Sequence, residues 1–174
     1  MSNANRLATI RTGVIAGAAG GLAEIAWVTL YAAMTGTDPA LLARGVTTAA
    51  GISTLLPLDS PVALGIGVHM VLAVTLGVIL VFVWRALSAY RPQQTNPYPL
   101  MLAALSGVWT LNFFVLLPIV SPAFIHIVPY AVSLASKLLF GIAAAEIVRG
   151  DAILAARQSA LSRSKPQSNM RSCI

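Results

Sequence analysis

The chain has 174 residues, 57% of them hydrophobic and only 9% charged, and its 11 Lys and Arg against 5 Asp and Glu give a formal net charge of +6. Soluble domains carry about 45–50% apolar and about 25% charged residues, so this composition excludes an ordinary soluble domain. A mean hydropathy of +0.83 excludes a disordered chain, and a single cysteine, Cys173, excludes a disulfide scaffold.

These numbers predict an all-α integral membrane protein, long enough for four spans of about 20 residues and short connections, with no separate soluble catalytic domain. The first apolar stretch covers 13–34 and is interrupted only by Glu24. A secretory signal has an apolar region of about 7–15 residues and rarely carries a central carboxylate, so this span is expected to stay in the protein. The second covers 61–84 with His69 inside it, the third 99–117 with Asn112, and the fourth 124–148 with Lys137. Together they form a transmembrane domain over 1–150, predicted to be a four-helix bundle. Pro129 lies within the fourth span, where it is expected to kink or loosen the outer turn.

Between spans one and two, Asp38-Pro39-Ala40-Leu41-Leu42-Ala43-Arg44 reads as an N-cap, a Pro at the first helical position and an apolar face. It predicts a short external amphipathic helix that caps the bundle, with Leu41, Leu42, Val46, Leu55 and Leu56 as its apolar contacts. Residues 85–99, rich in Pro, Gln and Asn, read as a flexible connection. Residues 151–174 read as a basic, flexible tail whose start continues the fourth helix. Cys173 in that tail stands second from the end and makes no prenylation box.

Arg6, Arg11, Arg85, Arg91, Arg149, Arg157, Arg163, Lys165 and Arg171 fall on one side of this topology and Arg44 alone on the other. Basic residues bias their segments to the cytoplasm, so both termini are expected to be cytoplasmic, in the inner (plasma) membrane. The same asymmetry accounts for the pI of about 10.3 without nucleic acid as a partner. The expected partners are the lipid bilayer and other membrane proteins, or further copies of the chain.

Leu56-Pro57-Leu58-Asp59-Ser60-Pro61 before span two is echoed by Leu117-Pro118-Ile119-Val120-Ser121-Pro122 before span four. The echo suggests a parallel two-helix repeat, and the alternative is that Pro and Ser are simply common at helix starts.

Ionisable groups in hydrocarbon cost about 2.5–3.5 kcal/mol each, so they face protein or water and find partners. At 1.5 Å per residue Glu24 lies about 16 Å below Thr35, and Lys137 about 16 Å below His126, depths at which they can meet. His69 lies about 12 Å below Pro61 and Asn112 roughly 9–12 Å below its corner, which predicts a polar layer above the ionic one. Helical spacing puts Gly13, Gly17 and Gly21 on the side of Glu24, Gly65, Ala73 and Gly77 with His69, and Ser133 and Gly141 with Lys137. Small residues at that spacing mark helix-packing faces. Asn112 shares its side with Leu105 and Val108, so its direction is less determined.

Glu24, His69, Asn112 and Lys137 are therefore an intramembrane polar core, read either as a proton or ion relay or as an ion pair that fixes helix register. Mutual neutralisation of one carboxylate and one lysine favours the ion pair. His69 and His126 differ too much in depth to clamp one haem, and His126, Asp59 and Asp38 are too few for a copper or zinc site. Nucleotide-binding and serine-hydrolase signatures are missing from the sequence. The expectation is thus no catalytic residues, no metal and no cofactor. The protein reads as a non-catalytic accessory or scaffold subunit of a membrane complex, with a small homo-oligomeric transporter or channel built on Glu24, Lys137 and His69 as the alternative.

Overall fold

The computed structural model describes residues 3–49, 61–90, 96–120, 122 and 127–164, and every regular element among them is helical. Five helices follow in order: α1 (Asn3–Thr35), α2 (Pro39–Ala49), α3 (Pro61–Tyr90), α4 (Tyr98–Val120) and α5 (Tyr130–Ser164). All but α2 are long and apolar enough to cross a membrane.

The helix ends follow local chemistry. Gly36, at φ 72°, takes the left-handed position that closes α1, while the Thr37 N–H donates to Ala32 O at 3.1 Å. Asp38 caps α2 through Oδ1, which accepts from the Ala40 N–H at 2.8 Å, and Pro39 needs no N–H at the first turn.

Several boundaries differ from those expected. α1 starts about ten residues before Gly13, and α5, expected to continue only through the start of the tail, runs on to Ser164. The run Ala152-Ile153-Leu154-Ala155-Ala156-Arg157 consists of strong helix formers, which explains the extension. Pro129 lies just before α5, not inside it, and its carbonyl accepts from the Ser133 N–H at 3.0 Å. Proline there starts the helix instead of kinking it, because the missing N–H would have had no partner.

α4 is α-helical over Tyr98–Leu111, π-helical over Asn112–Leu116 and α-helical again over Leu117–Val120. Pro118 cannot donate to the Phe114 carbonyl, and one residue earlier the Leu117 N–H donates to Asn112 O, five residues back. In an unbroken α-helix, positions four apart drift by about 40° per step. The wider π turn takes up part of that drift, and Met101, Leu105, Phe113 and Leu117 are all buried.

The spanning helices lie side by side in the order α3, α1, α5, α4, with α2 laid on α3, and α3 scarcely touches α4. One core of Ala16, Ala73, Leu80, Met101, Leu105, Phe140, Ala144 and Val148 fills the half near the α1 N-terminus. A smaller cluster of Ala32, Leu42 and Val128 sits under α2. Large apolar side chains such as Leu22, Leu72 and Ile119 face outward while Thr9, Thr12, Glu24, Ser133 and Ser136 are buried. This inverted distribution suits a lipid solvent.

The corner Leu56–Ser60, with Asp59 and Leu55, lies outside the described residues, as do Arg91 to Thr95, Ser121, His126 and the tail 165–174 with Cys173.

Candidate functional site

The glycine faces of α1 and α3 are pressed together without intervening side chains. A Cβ added at Gly17 would lie 2.5 Å from Ala73 O, one at Gly13 2.6 Å from Val78 Cα, and one at Gly77 would strike the Gly17 backbone. Gly21 meets Ala73 and Met70, while Gly65 receives Ala43 of α2. On α5, Gly141 packs against Leu102 and Met101 of α4, and the Ser133 hydroxyl accepts from Trp109 Nε1 at 2.8 Å. The predicted packing residues thus fall in three different seams: α1 with α3, α2 with α3, and α4 with α5.

Above the α1–α3 seam the polar residues converge. Lys137 Nζ of α5 lies 2.6 Å from Glu24 Oε1, and His69 Nε2 of α3 lies 3.4 Å from Glu24 Oε2. Both are charge contacts rather than aligned hydrogen bonds, since neither Glu24 Oε1 nor His69 Nε2 has a hydrogen-bond partner among the described residues. The Glu24 side chain is only 4% exposed, against 20% for Lys137 and 22% for His69. The carboxylate is therefore sealed behind the two bases.

One expectation about this core needs correction. His69 joins the ionic layer instead of a separate polar layer above it, because a difference of about 4 Å counted along helix axes is within the reach of Glu and His side chains. Asn112 lies on the same cavity wall as Glu24, His69 and Lys137 but makes no side-chain hydrogen bond among the described residues. The π turn sets its position, and the sequence signal for that turn was Pro118.

These groups line a cavity of about 400 Å³ at the place where α3 and α4 stand apart. Val28, Ile66, Leu76, Val108, Phe113 and Phe140 give it apolar walls, and Leu42, Ala43 and Val46 of α2 cover one end. In α2, Leu42 and Ala43 point inward and Leu41 outward, which places one of the two adjacent leucines over the cavity. Trp109 stacks on Phe113 with ring centroids 5.5 Å apart, holding that wall in place. Trp27 Nε1 donates to Val132 O at 3.0 Å and ties α1 to α5 beside the cluster.

Two further polar networks were not singled out in the sequence. Arg85 of α3 donates to Thr9 Oγ1 at 2.7 Å and lies 3.0 Å from Asp151 Oδ2, joining α1, α3 and α5 near the α1 N-terminus. Tyr98 OH donates to Glu146, which also pairs with Arg149 at 2.6 Å. Arg85 reads in sequence as a topology signal and Asp151 as tail, so nothing local marked them as partners. Among the described residues, no three His, Cys, Asp or Glu side chains cluster as a metal site.

Comparison with known proteins finds no matching family model, curated protein or solved structure.

Proposed function

We propose that the protein is a non-catalytic membrane protein that holds a small membrane-soluble molecule in the cavity between α3 and α4, in the inner membrane with both termini cytoplasmic. The observation that carries this reading is the position of the Glu24–Lys137–His69 cluster. A purely structural ion pair needs no open space beside it, whereas here Lys137 and His69 keep 20% and 22% of their side chains exposed while Glu24 lies behind them. This cluster forms part of the wall of a cavity of about 400 Å³, a size within the range of ligand pockets, about 300–1,000 Å³. Apolar walls with a few convergent polar groups are the usual composition of such sites.

The test is native mass spectrometry of the full chain released gently from its own membranes. A stoichiometric small-molecule adduct is expected in the wild type and not in Val108→Phe, which fills the cavity without touching the charges. A bare mass in both proteins would sink the reading.

A second reading, an accessory subunit in a larger assembly, is favoured by an outward face of α4. Ala103, Gly107 and Thr110 are exposed there, and a Cβ at Gly107 would meet nothing within 4 Å. Small residues on a lipid-facing helix allow another helix to approach closely. A heteromeric mass in the same spectra, lost in Gly107→Leu, is the result expected of that role.

A further inference from the structure

Resting on the cavity reading, we propose that the occupant is a neutral, carbonyl-bearing ring with an apolar tail, of the quinone class. The hydrogen-bonding capacity of the cluster comes first. An ammonium has three N–H donors and no acceptor. Lys137 Nζ lies 2.6 Å from Glu24 Oε1 in a charge contact and makes no hydrogen bond among the described residues, so on the cavity wall its donors call for an acceptor oxygen. Asn112 adds an amide to the same wall with no bond of its own.

Charge comes second. Glu24 and Lys137 cancel each other, so a charged headgroup would bring an unpaired charge into an apolar cavity, which is strongly unfavourable. A fatty carboxylate would have to draw Lys137 away from Glu24 and leave that buried carboxylate alone. A neutral carbonyl accepts from Lys137 without disturbing the pair.

Shape comes third. Phe113 and Phe140 back the cavity wall but are only 4% and 0% exposed, with Phe113 stacked on Trp109, so the occupant's ring lies against the aliphatic walls that Val28, Leu76 and Val108 provide. α3 and α4 scarcely touch beside it, which leaves a sideways exit for an apolar tail, flanked by exposed Ile66 and Leu72 of α3. A quinone with an alkyl or isoprenoid tail meets all three demands at once.

The experiment uses the full chain in phosphatidylcholine nanodiscs, titrated with decylubiquinone while tryptophan fluorescence is followed, since Trp109 lies against the cavity wall. Saturable quenching is expected in the wild type. Affinity should fall at least tenfold in Val108→Phe and in the double variant Glu24→Gln with Lys137→Met, which keeps the site neutral but removes the ammonium donors. Circular dichroism melting of each variant verifies that the fold is kept. Equal quenching in wild type and both variants would mean that the quinone is merely dissolved in the lipid, and would overturn the proposal. If oleate binds saturably instead, with the same sensitivity to Val108→Phe, the cavity reading stands and the quinone class falls. If neither ligand binds and the natively extracted protein carries no adduct, both readings fall together.

Discussion

α3 behaves differently along its two halves. Toward its C-terminus, Ala73 and Gly77 press into Gly17 and Gly13 of α1 so closely that backbone meets backbone. Toward its N-terminus, His69 and Ile66 face a cavity, and α4 stands apart. The same two helices are in contact throughout, so the difference lies in side-chain size and polarity. Glycines let helices close on each other, and van der Waals packing then holds them. A charged cluster holds helices together through long side chains and leaves room beside them. One half of the helix is thus close-packed and the other borders the cavity.

Breaking the site half should have the larger effect. Glu24→Gln leaves Lys137 as an uncompensated charge, and removing one partner of a buried pair costs about 3–5 kcal/mol. Yield and thermal stability in mild detergent should drop sharply. Adding Lys137→Met should restore most of the loss, because both charges then disappear. A double variant as unstable as the single one would show that Glu24 is not held by Lys137.

The glycine half should respond next. Gly17→Leu places a side chain where even a Cβ would be 2.5 Å from Ala73 O. Overpacking typically costs about 1–3 kcal/mol, and backbone contact leaves little room for relief. The melting temperature should fall and a cysteine crosslink between α1 and α3 should weaken. An unchanged melting curve would mean that the seam is looser than its geometry. Gly67 of α3 sharpens the contrast, since a Cβ there meets nothing. Gly67→Ala should therefore stabilise by about 0.5–1 kcal/mol through helix propensity alone, read as a small rise in melting temperature.

The two halves also differ in how far the sequence disclosed them. Glu24 and Lys137 stand out because ionisable residues are rare in apolar runs, and counting rise per residue puts them at one depth. The glycines four apart stand out for a similar reason. Axial counting misplaces His69 because it ignores how far two long side chains reach toward each other. It leaves the direction of Asn112 open because a π turn changes which way residues point, even though Pro118 announces a break in the hydrogen-bond ladder. The cavity was not legible at all, since it depends on which helices are neighbours. α3 lies beside α1 and away from α4, an order that no single helix pattern encodes.

The Arg85–Asp151 contact was missed for a different reason, and it yields the smallest effect. Both residues lie beyond the expected span ends, and only the extension of α1 and α5 past those ends brings Thr9, Thr12 and Asp151 beside Arg85. The Arg85 and Asp151 side chains are 29% and 48% exposed, so water screens the pair. Exposed pairs contribute about 0.2–1 kcal/mol, and Asp151→Asn should cost no more than the lower part of that range. Arg85→Met should cost more, because the buried Thr9 hydroxyl donates to Asn5 O at 2.7 Å and loses with Arg85 the one donor to its own oxygen. Melting both variants at low and high salt separates the two contributions. The Asp151→Asn difference should shrink with salt, while the hydrogen-bond part of the Arg85→Met difference should persist. Equal losses in the two variants at every salt concentration would mean that the ion pair, and not the threonine, is what Arg85 contributes where α1, α3 and α5 meet near the α1 N-terminus.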